Sequence, residues 1–284
     1  MDKIKIHVLR TGEVRVSPYL PFGGDNCSLL KASGITTPKS QWLWLPVFCF
    51  LIEHPKGLLL FDTGWHRDMS PNGVFDKKAQ IHSLGSWILY QVNQGRIAPG
   101  EAIDEQLQQL GISPAALDYV LLSHLDCDHA NGLRAVKEAK HILVSKAELE
   151  GTRQRSCQTR IRFQPRWWQG VDLQTFDWNG KEGPVGLSFD LWGDGSIVMV
   201  NIPGHTRGLC ALKVKNSNGR FALLFADGGY ATRSWRGMIT SGIALDKNLQ
   251  HLSLQWIREQ SLSPLCVESL ASHDPDIQPH TIEF

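Results

Sequence analysis

The chain has 284 residues, of which 42% are hydrophobic and 20% are charged. This balance provides material for a sizeable core and excludes an intrinsically disordered protein. The 29 basic and 28 acidic residues give a formal net charge of +1, so no overall field attracts nucleic acid or an anionic membrane. No apolar run reaches the roughly 18 residues that a membrane-spanning helix requires.

The N-terminal part of the chain predicts strands. Residues 3–9 alternate as a strand does, and residues 43–51 and 58–61 are apolar runs on either side of a Pro-Lys-Gly turn. The last two runs predict a hairpin that ends at Asp62-Thr63-Gly64. Residues 65–100 have no clear periodicity, and no element is predicted there.

Beyond residue 100, helical and strand patterns mix along the chain. The predicted elements are a helix at 102–110, strands at 119–122 and 141–144 with a short helix from Leu133 between them, strands at 196–202, 209–214 and 221–226, a helix at 249–260 with Leu249, Leu252 and Trp256 on one face, and a strand at 265–270. Ser145 and Glu148 fit the capping box of a further helix. Frequent hairpins favour stacked mixed sheets flanked by helices over a doubly wound parallel sheet.

Four polar clusters each follow a predicted strand, where a rigid scaffold displays its chemistry. Imidazole nitrogens and carboxylate oxygens suit Zn²⁺ and harder first-row ions. Each residue alone has a simpler interpretation as a turn residue, but together they are enough for two metals and bound water. The candidate ligands are His124, Asp126, Asp128 and His129 in the first cluster, His205 in Pro-Gly-His-Thr, Asp227 in Ala-Asp-Gly-Gly-Tyr, and His273 in Ser-His-Asp. Gly204 permits a tight turn that would expose the imidazole of His205.

The order and spacing of these residues resemble the metallo-β-lactamase superfamily. The first signature of that family reads His-x-His-x-Asp-His, and residues 124–129 match it except for Asp126. A later Gly-His, an Asp and a C-terminal His complete the family pattern. The resemblance covers roughly residues 43–275 and implies an α/β fold, an αββα sandwich of two mixed β-sheets flanked by helices. We expect a single domain over residues 1–284.

Two features narrow the resemblance to the N-acyl-homoserine lactonase branch. One is the N-terminal hairpin that ends at Asp62-Thr63-Gly64, and the other is Tyr230, three residues after Asp227. The branch implies a dinuclear metal-dependent hydrolase in which a metal-bound hydroxide attacks a lactone or another ester bond. Tyr230 would stabilise the oxyanion, and Asp128 would pass a proton to the leaving alkoxide. The expected partner is therefore a small-molecule ester or lactone.

The resemblance also implies a ligand assignment. His124, Asp126 and His205 would hold a first metal, Asp128, His129 and His273 would hold a second metal, and Asp227 would bridge both. Asp62 would be a carboxylate that orients one of the ligands. Two divalent metal ions are expected, and the resemblance favours Zn.

Asp126 departs from the family, which has His at this position. A carboxylate there makes the two-metal site more neutral, which weakens it as a Lewis acid, and its oxygen donor favours Mn or Fe relative to Zn. The diiron flavoproteins of the superfamily are similar, since they carry Glu at this position. A redox-active diiron-type protein of the same fold therefore stays open as an alternative, and so does a metal-binding protein without enzymatic activity.

An Arg/Trp-rich insertion near 151–171 contains five arginines and no acidic residue. It could form a lid over an anionic or aromatic substrate, or a solvated insertion whose tryptophans pack on the core. Neutral net charge argues against a nucleic-acid partner for this segment. A substitution of Arg160 or Arg162 is expected to change stability little, because exposed charges contribute little to it.

The six cysteines are scattered and form no CxxC pair. Such usage in a chain of this length indicates reduced thiols more than a disulfide framework. The N-terminal Met-Asp-Lys-Ile-Lys-Ile lacks the apolar core of a signal peptide. We therefore expect a cytoplasmic protein without membrane attachment, and the sequence does not indicate its oligomeric state.

Overall fold

Two β-sheets organise the chain, and the computed structural model describes residues 3–284. The strands in this range are β1 (Lys5–Val16), β2 (Leu43–His54), β3 (Gly57–Phe61), β4 (Gln94–Arg96), β5 (Tyr119–Leu121), β6 (His141–Ser145), β7 (Leu173–Phe176), β8 (Ser188–Asp190), β9 (Ile197–Asn201), β10 (Cys210–Lys215), β11 (Phe221–Ala226), β12 (Cys266–Ala271) and β13 (Thr281–Glu283).

The helices flank these sheets. Those of the described range are α1 (Tyr19–Phe22), α2 (Leu29–Ala32), α3 (Lys77–Leu84), α4 (Trp87–Val92), α5 (Ile103–Gln109), α6 (Cys127–Ala130), α7 (Lys146–Thr152), α8 (Cys157–Arg162), α9 (Thr232–Gly237) and α10 (Lys247–Ser261). Short 3₁₀ turns occur between them. None of the helices among residues 3–284 is both long enough and apolar enough to cross a bilayer.

Both sheets are mixed. The first has the strand order β13-β1-β2-β3-β5-β6-β7, with β4 also paired to β1, and the second has the order β12-β11-β10-β9-β8. Strands β3, β5, β6 and β7 run parallel to one another, whereas β1, β2 and β3 are antiparallel neighbours. Among residues 3–284, the second sheet has one parallel pair, β11–β12, and its other pairs are antiparallel.

Alternation along β2 shows why the first sheet lies in the middle of the molecule. Phe48, Phe50 and Ile52 face the second sheet and join the core between the sheets. Val47 and Cys49, on the opposite face, join a separate core beneath the helices. Because a strand alternates its side chains between two faces, a continuous apolar run here produces one buried strand with two cores. The result is the αββα sandwich that the sequence predicts.

Most predicted elements are present, and three details differ. The segment 65–100, without a predicted element, contains α3, α4 and β4; α4 is only six residues long, too short for a periodic signal. The apolar face predicted for α10 is partly wrong: Trp256 is buried as predicted, but Leu252 is exposed, and Leu254 and Ile257 are buried instead. The capping box is half correct, since Ser145 accepts from the Glu148 amide at 3.1 Å but the Glu148 carboxylate points elsewhere.

Candidate metal centre

The seven predicted ligands converge where strands of both sheets end. Residues 124–129 follow β5, and the other three ligands follow β9, β11 and β12. Every one of the seven is buried, with exposure between 0% and 7%: His124, Asp126, Asp128, His129, His205, Asp227 and His273. Since buried ionisable groups require partners or a metal, this convergence indicates a functional centre and not a solvated turn.

Two groups of ligands can be distinguished. We call His124, Asp126 and His205 the first set, and Asp128, His129 and His273 the second set. Within each set, one nitrogen or oxygen atom per residue lies within 4.8 Å of the others, as close as a shared metal ion requires. Asp227 lies between the sets, with Oδ1 3.1 Å from His273 Nε2 and Oδ2 3.5 Å from His205 Nε2.

Three imidazoles are oriented by a hydrogen bond on Nδ1. His129 Nδ1 lies 2.8 Å from Asp62 Oδ2, and His273 Nδ1 lies 2.8 Å from the Pro46 carbonyl oxygen. His124 Nδ1 lies 2.9 Å from Ser123 Oγ, which itself donates to Asp62 Oδ2 at 2.7 Å. With the proton held on Nδ1, each ring presents the Nε2 lone pair to the centre, as metal-ligating histidines do.

Five buried atoms of the candidate ligands have no hydrogen-bond partner among the described residues. They are Nε2 of His124, His129 and His273, Oδ1 of Asp227, and Nδ1 of His205. A native structure rarely leaves so many buried polar atoms unpaired in one place unless an ion or water belongs there. Imidazole and carboxylate donors suit a divalent first-row ion, so the second set with Asp227 fits a metal.

The first set is different, because Arg162 enters it. Arg162 Nε and Nη2 each lie 2.6 Å from a carboxylate oxygen of Asp126, and Nη2 lies 2.7 Å from His205 Nε2. Arg162 Nη1 also donates to the His205 carbonyl oxygen at 3.3 Å. Asp126 Oδ2 and His205 Nε2 therefore both accept from Nη2, while Asp126 Oδ1 accepts from Nε.

This pairing sets the charge states of the first set. Burial alone would raise the pKa of Asp126, but the charge and the hydrogen bonds of Arg162 hold it well below its usual range. Burial and then the Arg162 charge lower the pKa of His205 to about 4. Asp126 is thus a carboxylate, and His205 is a neutral imidazole whose Nε2 accepts from Arg162.

Sequence reasoning missed the contact of Arg162 and treated it as an exposed lid residue. The structure corrects this expectation, since Arg162 is only 8% exposed, whereas Arg160 on the same helix is exposed. Ser156 caps helix α8, because its hydroxyl accepts from the Thr159 amide at 3.0 Å. The signal in the sequence was Asp126 itself, because a buried carboxylate in place of a histidine requires a cationic partner.

The Arg/Trp-rich segment 151–171 packs on the protein core through its aromatic residues. Phe163 and Trp167 are buried in the core beneath the helices, and Trp167 Nε1 donates to the Ser83 carbonyl oxygen at 3.1 Å. This packing agrees with the second of the two interpretations given above for the tryptophans. Because Phe163 and Trp167 directly follow helix α8, their burial also fixes the position of Arg162 at the end of that helix.

Glu148 is a second residue whose role sequence reasoning missed. Its carboxylate accepts from the backbone amides of Leu125 and Gly208, each at 3.1 Å, and so ties together the loops that carry His124 and His205. Gly204 makes the predicted tight turn, with φ of +134°. That turn buries the His205 imidazole completely in the centre and does not expose it as predicted.

Asp62 contacts one of the candidate ligands, as its predicted orienting role requires. It accepts from Ser123 and contacts His129, and it holds a left-handed backbone conformation with φ of 61°. Such strain in a non-glycine residue persists only where the surroundings enforce it. The hairpin end also holds the ligand loop, because Thr63 Oγ1 donates to the His129 carbonyl oxygen at 2.7 Å.

We expect Asp62→Asn to weaken metal binding about 10–100-fold, the usual loss when a partner of a ligating histidine is changed. The amide is isosteric and tolerates the left-handed conformation, but it removes the charge that fixes the His129 ring. Competition against a chromophoric chelator measures the affinity. Asp246→Asn, at the exposed beginning of α10, is the matched control and should leave affinity unchanged. Equal affinities for both variants would show that Asp62 does not orient a ligand.

Tyr230 lies between the two sets. Its ring stacks on His273 with centroids 5.3 Å apart and contacts His205 edge-on at 5.7 Å. Burial raises the pKa of its hydroxyl well above the usual value, and nearby Asp227 and Asp126 add to the effect. The side chain is therefore a neutral phenol beside the centre.

An apolar cavity of about 470 Å³ opens beside the first set. Asp126 and Arg162 contribute to its lining next to the centre, and the remainder is mainly aliphatic: Leu20, Leu29, Leu30, Ile88, Leu89, Val92, Ile161 and Ile243. Leu29, Leu30 and Ile88 are each about half exposed at this site. Large apolar side chains left open around a polar floor are typical of a small-molecule site.

Comparisons with known proteins agree with this geometry. The family model for the metallo-beta-lactamase superfamily matches residues 42–219. The N-acyl homoserine lactonase AttM of Azorhizobium caulinodans is 25% identical over 293 aligned residues, which cover 98% of this chain and 96% of that protein. The probable metallo-hydrolase Rv2300c of Mycobacterium tuberculosis is 27% identical over 260 residues, which cover 89% of this chain and 76% of that protein.

Solved structures share the fold. An N-acyl homoserine lactone hydrolase with N-hexanoyl-L-homoserine at its catalytic metal centre superposes with a TM-score of 0.71 at 20% identity, over 95% of this chain and 93% of that chain. AidC, a dizinc quorum-quenching lactonase, superposes with a TM-score of 0.63 at 16% identity, over 97% and 89% of the two chains.

Proposed function

The chain belongs to the metallo-beta-lactamase superfamily, and from this premise we propose that it is a metal-dependent hydrolase of lactones that carry an apolar acyl chain. One observation carries the proposal: unpaired, buried imidazole and carboxylate atoms share one centre with Asp126, which lines the polar end of an aliphatic cavity. Several relatives bear the name N-acyl homoserine lactonase, which supports a cyclic ester as the reacting group.

Different residues of the chain would have different roles in hydrolysis. When bound by the second set and Asp227, a divalent ion supplies Lewis acidity and lowers the pKa of bound water. Asp128, whose Oδ2 lies 3.4 Å from His273 Nε2, can take a proton from the attacking water and pass it to the leaving alkoxide as the ring opens. The Tyr230 phenol can donate a hydrogen bond to the oxyanion. The aliphatic cavity would hold the acyl chain and keep water away from it.

A series of N-acyl homoserine lactones tests this function. We expect kcat/KM to rise about fourfold for each methylene added from acetyl upward, because each buried CH₂ contributes about 0.8 kcal/mol, until the cavity is full. γ-Butyrolactone, which lacks the acyl chain, should be a poor substrate. Ring opening releases acid and can be followed with a pH indicator. No hydrolysis of any lactone by the metal-loaded protein would refute the proposal.

Tyr230→Phe is expected to lower kcat about tenfold, or about 1.4 kcal/mol, and to change KM less, because the hydrogen bond strengthens only as charge develops. The phenyl ring preserves the stacking on His273, so metal content should stay the same. Steady-state kinetics with the best lactone of the series measures both constants. Unchanged kinetics would remove Tyr230 from the reaction and weaken the assignment to the lactonase branch.

Other expectations from the sequence extend the proposal. We propose Zn as the ion, since two imidazoles and two carboxylates from the second set and Asp227 suit it. We also propose one domain over residues 1–284 and no nucleic-acid partner. All six cysteines are unpaired, which supports a reducing compartment such as the cytoplasm. A diiron redox centre would need Asp126 as an iron ligand, and the Arg162 contacts weigh against that alternative.

A further inference from the structure

The first set does not present a metal site of the usual kind, because Arg162 already satisfies two of its three residues. Both carboxylate oxygens of Asp126 and the Nε2 of His205 accept from Arg162. In contrast, the Nε2 atoms of His129 and His273 in the second set have no partner among the described residues. His124 Nε2 also has none, but it lies close to His129 and Asp227 and so belongs with the unsatisfied atoms on that side. The unsatisfied atoms therefore lie around the second set and Asp227, where a cation is lacking.

Charge balance leads to the same conclusion. In the first set, the Arg162 guanidinium already neutralises the Asp126 carboxylate. A divalent ion placed there would add two uncompensated positive charges and would stand directly against the guanidinium. Uncompensated buried charge is strongly unfavourable.

We infer that Arg162 takes the place of the first metal ion, so that this chain binds a single divalent ion, at the second set with Asp227. The inference deepens the proposed function and rests on it for the role of the guanidinium in turnover. It replaces the expectation of two ions, and it explains the departure at position 126, since a carboxylate holds a guanidinium by two parallel hydrogen bonds that a histidine could not make.

The position of Arg162 also suits a role toward substrate. Four of its N–H groups are used in the contacts with Asp126 and His205, and a guanidinium has five. Arg162 lines the apolar cavity, so the remaining N–H of Nη1 is available to the carbonyl oxygen of a bound lactone. A fixed guanidinium is a suitable electrophile for a developing oxyanion.

Metal stoichiometry tests the inference without any assay of activity. The full-length protein is stripped with a chelator, titrated with Co²⁺, and monitored by its visible absorption. Separately, it is saturated with Zn²⁺, desalted and analysed for elemental content. We expect the Co²⁺ signal to reach its plateau at one equivalent and the Zn²⁺ content to be one ion per chain. Two retained ions per chain, or none, would overturn the inference.

A pair of variants sharpens the test. Asp126→His combined with Arg162→Ala restores the histidine of the family signature and removes the guanidinium, and we expect it to retain two ions per chain. Arg160→Ala, on the exposed side of the same helix, should retain one ion, as the unmodified protein does. A folded double variant that still retains one ion would overturn the inference. The unmodified protein decides the question by itself if the double variant does not fold.

The outcomes separate this inference from the proposed function. One retained ion without hydrolysis of any lactone would support the single-ion centre and refute the lactonase proposal. Two retained ions with lactone hydrolysis would do the opposite.

Discussion

Asp227→Asn is expected to abolish stable metal binding and to lower turnover at least about 10³-fold. The carboxylate lies 3.2 Å from His129 Nε2 and 3.1 Å from His273 Nε2 through Oδ1, at the point where the lone pairs of both rings meet. An amide is isosteric but neutral, and its NH₂ group would oppose the ion if it faced the centre. Loss of Lewis acidity removes several kcal/mol of transition-state stabilisation, and each 1.36 kcal/mol is a factor of ten.

Elemental analysis and lactone kinetics on the same preparation check this result. Asp246→Asn is again the control, because it makes the same chemical change at an exposed position. If Asp227→Asn kept its metal and lost less than tenfold in kcat, the carboxylate would not be a ligand. The ligands of the metal would then have to be the histidines and Asp128, without Asp227.

Arg162→Ala is expected to destabilise the protein by about 3–5 kcal/mol, the usual cost of removing one partner of a buried ion pair. Asp126 would be left as a buried carboxylate facing His205 without its bidentate donor. For a chain of this size the loss corresponds to a decrease in Tm of roughly 5–10 °C. Thermal unfolding of the chelator-treated protein measures the effect in the absence of metal.

Two controls isolate the ion pair. Arg160→Ala removes an exposed arginine from the same helix and should change stability by less than about 0.5 kcal/mol. Asp126→Leu combined with Arg162→Leu replaces both partners with apolar residues and should recover most of the stability, because no unpaired charge remains. Equal unfolding temperatures for Arg162→Ala and Arg160→Ala would show that the buried pair contributes nothing.

Local patterns predicted much of the fold. The antiparallel pair β2–β3 and the strands that lead into the ligands were visible because each is a short apolar run ended by turn residues. The candidate ligand set was visible for the same reason, since its members lie directly behind strand ends. Helix α4 was not predicted, since six residues are too few to establish a helical period.

The contact between Asp126 and Arg162 lay outside what sequence patterns can predict. The two residues are 36 positions apart, and their meeting depends on how α8 packs after β6 and α7. Phe163 and Trp167 determine that packing by burying themselves in the core. The sequence did indicate that position 126 was unusual, but it could not show which cation pairs with the Asp126 carboxylate.

The aliphatic cavity is built by a different part of the chain from the metal centre. Leu29 and Leu30 belong to the four-residue helix α2, and Ile88 belongs to the short helix α4; both helices lie outside the two sheets and carry no ligand. Substitutions at such exposed positions usually change stability by no more than about 0.5 kcal/mol. Selection could therefore change the length or shape of the acyl group that this cavity is proposed to hold, while the metal centre stayed intact. Among close relatives of this chain, substrate preference would then diverge before the reaction itself changed.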